Sequence, residues 1–338
     1  MEVLLIFYKE VYILKKITIL SAFLGVFLAG VSLTSCGVKN KRGAYNIIKL
    51  GEYPQDVVGD ENLANEIKIN GVKSGNKVKY NDKYYVQLKV KPYNYGEDGY
   101  NYYYTTKRTV IEDSLMYFEV KPITWRILEE TDEYYYVTSE YILFTDTFTD
   151  DDIVEDGQNS NNYEKSSIRT YLNGYFYENI LNSDPAIMLM NVDNGANSSD
   201  GDVDNPHLCN DTEDYVSNIS LGDTKNKKYF KCMDDRYAFA TDYLIAQGFK
   251  TYQDSTTSFF FGSAEYMTRS PISWVDYEDG TPSYIYYDSQ GDEVGGYYRD
   301  CIYKISYEGN DDFARTYDTL GVRPCIKVDK SLYTGKKE

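Results

Sequence analysis

The run MYFEVKPITWRILEE at residues 116–130, followed by a Thr131-Asp132 turn and YYYVTS, limits the folds open to this chain more than any other stretch. Aromatic and β-branched residues dominate it and its apolar positions alternate, so it predicts an antiparallel hairpin with one face in a core. Ile123, Trp125 and Ile127 share that face, which makes burial the expected role of the tryptophan. VKYNDKYYVQLKV, residues 78–90, predicts a second hairpin about Asn81-Asp82. Strands return in the C-terminal third as SAEYMTRSP, SYIYYDSQGDEVGGYY, CIYKISY and TLGVRPCIKV. The glycines of DSQGDEVGG lack phosphate-loop spacing and are read as a hairpin turn near Gln290-Gly291.

Helical signals are fewer. In YEKSSIRTYLNGYF, residues 163–176, Ser166 or Ser167 can cap a helix whose apolar positions are Ile168, Tyr171 and Leu172, and Asn173-Gly174 is its expected stop. Phe176 and Ile180 could extend the same stripe. YVTSEYILF (136–144) and FATDYLIA (239–246) echo one another, each reading as a strand that meets a Thr or Ser cap, an acid and a short helix. Residues 193–231 form a hydrophilic insertion, expected at the surface.

The N-terminus sets the compartment. Lys15 and Lys16 precede an apolar run that ends in Leu33-Thr34-Ser35-Cys36, the pattern of a signal peptide with a lipobox over residues 1–36. About 17 apolar residues is short for a membrane span, and a thiol after small residues fits lipidation at Cys36. The expected protein is held at the extracytoplasmic face of the cell membrane by that lipid, through a tether at 37–44, with one domain at 45–330 and a tail at 331–338. Residues 2–13 carry two glutamates where a basic region belongs, so translation is expected to begin near Leu14; a ribosome-binding site upstream of Met1 only would refute this.

The chain carries a net charge of −18, and removing residues 1–35 takes away three lysines and two glutamates and leaves −19, which excludes nucleic acid as an expected partner. The 38 tyrosines fit an AT-rich coding composition or a recognition surface. Beyond Cys36 the cysteines are Cys209, Cys232, Cys301 and Cys325; Cys209–Cys232 and Cys301–Cys325 is one of three pairings that spacing leaves open, and no C-x-x-C is present. Asp200, Asp202, Asp204 and Asp211 stand at calcium-loop positions, but Asn205 replaces the loop glycine, Asp211 the bidentate glutamate, and Pro206 opposes a flanking helix. A plain acidic loop is the expected role, there and in DTFTDDDIVEDGQN, with calcium as the one candidate cofactor. His207, the single histidine, has no nucleophile motif around it, and no carboxylate pair stands out for glycosidase chemistry.

YEKSSIRTYLNGYF, EYMTRSP and TLGVRPCIKV together resemble an exported bacterial family of unknown function with the signature S-I/L-R-x-W-L-N, then W-L-R-S-P, then G-V-R-P-A. GEYPQ and PITWRIL resemble its opening strands, so the likeness runs over about residues 45–328. Tyr171 replaces the family's tryptophan, Cys325 its alanine, and Tyr266-Met267-Thr268 stands where it has an aromatic residue and leucine. More remotely the family is similar to C-type-lectin-like and sulfatase-modifying-factor-like domains. That resemblance implies an α+β domain of mixed, mainly antiparallel sheets with two or more short helices, its terminal strands meeting. Arg126, Arg169, Arg269 and Arg323 are the charged members of these segments. Either they form a cationic cleft, with Arg169, Arg269, Arg323 and Trp274 as ligand contacts, or each pins a loop by bonding carbonyls and buried acids; the second is favoured. The expected function is a binding or interaction module for a glycan or an envelope protein, not an enzyme. A surface hydrolase of polysaccharide or cell-wall material and a structural envelope component are the alternatives.

Overall fold

The strand expected around Trp125 is the spine of the structure. The computed structural model describes residues 45–91, 102–149, 160–194, 209–253, 259–272, 276–278, 281–283, 301–335 and 337. In chain order the first elements are β1 (Ile47–Val57), α1 (Glu61–Asn70), β2 (Val72–Ser74), β3 (Lys77–Tyr80), β4 (Lys83–Lys89), β5 (Leu115–Glu130) and β6 (Tyr134–Ser139). One edge of β5 pairs with β1 from Phe118 to Arg126; the other carries β4 along its first half and β6 along its second. The turn between β3 and β4 has Asn81 and Asp82 at φ 47° and 59°, the left-handed pair that a tight hairpin requires.

After β6 come β7 (Phe144–Asp146), α2 (Ser167–Tyr171), β8 (Ile187–Met188), β9 (Met190–Val192), β10 (Thr212–Asp214), β11 (Val216–Asn218) and α3 (Leu221–Lys225). Next are β12 (Ala238–Phe239), α4 (Asp242–Ala246), β13 (Ser263–Ala264), β14 (Tyr266–Pro271), β15 (Asp276–Glu278) and β16 (Thr281–Ser283). The chain closes with β17 (Cys301–Ile305), β18 (Asp311–Arg315), β19 (Leu320–Val322) and β20 (Pro324–Asp329). The larger sheet runs β11-β20-β6-β5-β4-β3-β2, with β1 added on β5 and β8 on β20; a second runs β18-β17-β14-β19-β7. Among the described strands pairing is antiparallel except between β14 and β19, so the fold is mixed α+β with mainly antiparallel sheets and short helices. Residues Gly43–Glu338 form one compact unit. Its main core brings Ile48, Ile123, Trp125 and Val137 of the larger sheet against Ile168, Leu172 and Phe176 of the central helix.

Two irregularities in β1 shape its outer face. Between Lys49 and Glu52 one extra residue is accommodated, and there Gly51 takes φ +70°, where an added Cβ would lie 2.7 Å from Leu181. Between Pro54 and Asp56 the extra residue is Gln55, whose Nε2 donates to the carbonyls of Lys121 at 3.0 Å and Pro122 at 3.1 Å. A side-chain amide thus replaces ladder bonds lost at the bulge.

Several expectations change. Asn173-Gly174 does not stop the helix: α2, capped by the Ser166 side chain, continues as a π-helix over Leu172–Ile180. Asn173 acts instead as a lateral clamp, accepting from the amides of Tyr215 and Val216 and donating to the carbonyls of Arg169 and Val216. Residues 209–231 are not a surface insertion, because β11 pairs with β20 inside the larger sheet and Val216, Ile219 and Leu221 are buried. Their polar neighbours are matched internally: the Asn218 backbone amide donates to the Tyr163 hydroxyl and its side chain to the Met267 carbonyl, while Ser220 and Asp223 close a reciprocal cap on α3. The two echoed segments lie side by side, with Ile142 bridging Ala240, yet only the second forms a helix, since Glu140 of the first is held by Arg126.

Neither Cys209–Cys232 nor Cys301–Cys325 is bridged. Cys325 in β20 faces Thr138 and Ser217, Cys301 in β17 faces Arg315, and the Cys209 sulfur accepts from the Glu164 amide. The terminal strands do not pair, because β5 and β6 stand between β1 and β20. β1 and the segment that follows β20 still touch, through the Tyr333 hydroxyl and the Lys49 backbone. Among the described residues no helix is long and apolar enough to cross a membrane. Cys36 and the 37–44 tether lie outside the described residues, as does the turn expected at Gln290-Gly291.

Candidate functional site

The signature arginines face inward. Arg323, between β19 and β20, is fully buried and donates through Nε and Nη2 to the Ser139 carbonyl at 3.1 and 2.9 Å. Its Nη1 reaches the Tyr266 hydroxyl at 3.3 Å, and its guanidinium lies 5.0 Å from the centre of the Tyr266 ring. Arg126 grips Glu140 with both arms at 2.7 Å and donates to the Asp235 carbonyl at 2.9 Å. Burial works against the Arg126 charge, but Glu140 more than offsets this and the guanidinium pKa stands above its usual value. Both cations also approach the Phe230 ring, at 5.7 Å for Arg126 and 5.9 Å for Arg323.

Arg269 in β14 is buried and donates to the Asn218 carbonyl at 2.8 Å and to Asp223 at 3.3 Å. Arg169 in α2 is the most exposed of the set; its Nε meets Asp214 at 2.7 Å, and its other nitrogens reach the carbonyls of Glu164 and Glu213. Burial pushes the Asp214 carboxyl above the usual range even though Thr212 and Arg169 oppose the shift. These bonds tie β6, β11, α3 and the segment at Asp235–Arg236 to the strands that carry the arginines.

Trp274, Asp200, Asp202, Asp204 and His207 lie outside the described residues. Asp211 is exposed and accepts from the Asn194 amide at 3.1 Å. Among the described residues no group of three or more His, Cys, Asp or Glu is placed to hold a metal ion.

Open polar space lies elsewhere. A cleft of about 620 Å³ forms where the irregular part of β1 meets the start of α4, a size suited to a small ligand. Lys49, Gln55 and Asp56 of β1 make one side, and Glu119, Lys121, Pro122 and Thr124 of β5 continue it. Thr105 and Thr106 form the second side, and Tyr141 with Ala240, Thr241 and Asp242 the third. Asp242 joins all three, because Oδ1 accepts from the Thr105 amide at 2.9 Å and hydroxyl at 2.6 Å while Oδ2 accepts from the Val57 amide at 3.3 Å. Burial raises the Asp242 carboxyl above its ordinary range, against the pull of those donors and with help from nearby Asp56. At the rim Asp56 pairs with Lys121, and Glu119 pairs with Lys83 at 2.8 Å.

Comparison with protein families identifies the family. The model of a family described as Domain of unknown function (DUF6273) matches residues 136–330. The chain belongs to the DUF6273 family. No curated protein and no solved structure matches. The DUF6273 segment holds Arg169, Arg269 and Arg323, whereas Arg126 and β1 to β5 precede it. The cleft is therefore composite, with Tyr141 and Ala240–Asp242 supplied by the DUF6273 segment and the β1, β5 and Thr105 sides supplied from outside it.

Sequence reasoning missed this cleft. Its one local signal was Pro54-Gln55 interrupting the β1 pattern, since a proline and an amide in mid-strand point to a bulge.

Proposed function

We propose that this chain is a lipid-anchored binding module at the extracytoplasmic face of the membrane, and that its ligand enters the cleft between β1, β5 and α4. The observation that carries this is a contrast in how polar groups are used. The arginines bond carbonyls and acids inside the fold, while hydroxyls, carboxylates and lysines of the cleft border open space. The lipid at Cys36, a glycan or an envelope protein as partner, and a C-type-lectin-like relationship all belong to this reading, and the separation of β1 from β20 is the feature that relationship has to accommodate.

The test is a thermal-shift screen of the full chain in detergent against sugars, amino acids and short peptides, run with calcium and with chelator. The expected result is stabilisation by one chemical class that is lost in Thr106→Ala and Lys121→Ala, whose exposed or half-buried side chains leave the fold intact. Stabilisation that both variants retain would overturn the cleft as the site. Loss on chelation alone would move the site to the loop of Asp200, Asp202, Asp204 and Asp211.

A hydrolase is the second reading, favoured by one observation: Asp242 and Asp56 share the cleft, one with its pKa raised and the other paired with a lysine. Against it, both Asp242 oxygens already accept protein hydrogen bonds. Release of product from cell-wall or glycan substrates by the full chain, abolished in Asp56→Asn, would establish it.

A further inference from the structure

We propose that the cleft holds one end of a neutral saccharide chain, whose following ring stacks on the exposed Tyr175 of a tyrosine ledge that Tyr53, Tyr171 and Tyr243 support. This rests on the cleft being the ligand site. Two features of the cleft select the chemistry. Its carboxylates are met within the protein, Asp56 by Lys121, Glu119 by Lys83, and Asp242 by three donors, so they present little unmatched negative field to a ligand. Its described lining is otherwise mostly hydroxyl and amide, with Pro122, Ala240 and the Tyr141 ring as the apolar exceptions. A small ligand with donors and acceptors on every side fits such a lining better than one with apolar groups to bury.

The ledge is tied to the cleft through the chain, since Tyr53 and Tyr243 stand on β1 and α4, two of the elements that line it. Tyr243 follows Asp242 in the chain and Tyr53 lies two residues before Gln55; their rings meet edge to face at 6.0 Å. The Tyr53 phenol sits among those of Tyr171, Tyr243 and Tyr175, and its pKa is raised, by burial first and then by these neighbours. Tyr171 and Tyr175 stack at 5.6 Å with 27° between their planes, and Phe144 backs Tyr171 from the core at 5.0 Å. Tyr175 is 54 % exposed. The exposed Tyr175 ring, rigid and with a hydroxyl at its tip, suits a sugar ring, which has an apolar C–H face and a polar rim. The ledge stands where α2 passes into the π-helix, a geometry that is rare and often found at functional sites. Burial, with Tyr175 adding, pushes the Tyr171 phenol up to about 12, so it stays protonated as a donor.

The experiment is calorimetric titration of the full chain in detergent micelles with chito- and cello-oligosaccharides, from the monosaccharide to the hexasaccharide. Affinity is expected to rise about fivefold once the chain is long enough to reach Tyr175, the gain of one stacked ring, and to level off beyond that length. Tyr175→Ala is expected to erase that gain with the melting temperature unchanged, while Tyr317→Ala, at an exposed tyrosine between β18 and β19, leaves it intact. Affinity independent of chain length, or a gain that survives Tyr175→Ala, overturns the inference. So does binding of a short peptide or amino acid, but not a saccharide, that is lost in Lys121→Ala; in that case the cleft remains the site. Absence of any ligand sensitive to Lys121→Ala removes the cleft and the ledge together.

Discussion

The arginine cluster around Phe230 and the cleft beside Asp242 are both rich in polar groups, but they handle water in opposite ways. In the cluster each guanidinium is stripped of water and repaid by carbonyls, carboxylates and aromatic faces, so the hydrogen bonds of Arg323 and Arg126 close on the fold itself. In the cleft the carboxylates and lysines pair at the rim, and Asp242 alone is deeply buried. Removing one member of a buried set leaves its partners unsatisfied, which is costly, whereas exposed pairs contribute little. Polarity alone therefore does not mark a site. What separates the two regions is whether the partnered groups are closed off from water, as in the cluster, or border open space, as in the cleft.

The largest effect is expected for Arg323→Ala. It leaves the Ser139 carbonyl without its donors and opens a cavity beside Tyr266, at a cost of about 4 kcal/mol in denaturant unfolding. A loss below about 1 kcal/mol would break the contrast. Arg169→Ala sits between the two regions, since the arginine is partly exposed while Asp214 is buried; about 2 kcal/mol is expected, most of it from Asp214 left short of a partner.

Asp242→Asn should cost about 1 kcal/mol at pH 7, because an amide cannot match all the donors that face the carboxylate. Its pH dependence has a definite sign. The folded carboxyl has a raised pKa, so the stability linked to its protonation is fully present below the unfolded value of about 4 and is lost as pH rises through the folded value. The deficit of Asp242→Asn relative to the unmodified protein should accordingly be larger near pH 3 than at pH 7 in paired urea melts; a deficit that grows with pH would contradict burial as the cause. The smallest change is expected for Lys121→Ala, within about 0.5 kcal/mol, because its pair with Asp56 is solvent-exposed.

Much of the fold was legible in local pattern. The hairpins about Asn81-Asp82 and Thr131-Asp132 and the burial of Trp125 follow from alternation and turn residues, and the Ser166 cap from its spacing to Arg169. Residues 209–231 misled because average polarity hid Val216, Ile219 and Leu221, whose neighbour Asn218 is buried with partners, Tyr163 and Met267, that only the tertiary fold supplies. Asn173-Gly174 misled for the same reason, since the contacts of Asn173 with Tyr215 and Val216 come from a strand about forty residues away. The cleft was illegible because its sides come from β1, Thr105, β5 and Asp242, and only the bulge at Gln55 and the clamp of Asp242 bring them together.

The most direct test of the central claim, that the arginines belong to the interior and the cleft to the ligand, is arginine-specific labelling of the native full chain with phenylglyoxal, read residue by residue by mass spectrometry. The account predicts rapid modification of exposed Arg315 and none at Arg126, Arg269 or Arg323 until the protein unfolds. Native-state modification of Arg323 or Arg126 at a rate near that of Arg315 would contradict it and return the arginines to candidacy as the binding surface.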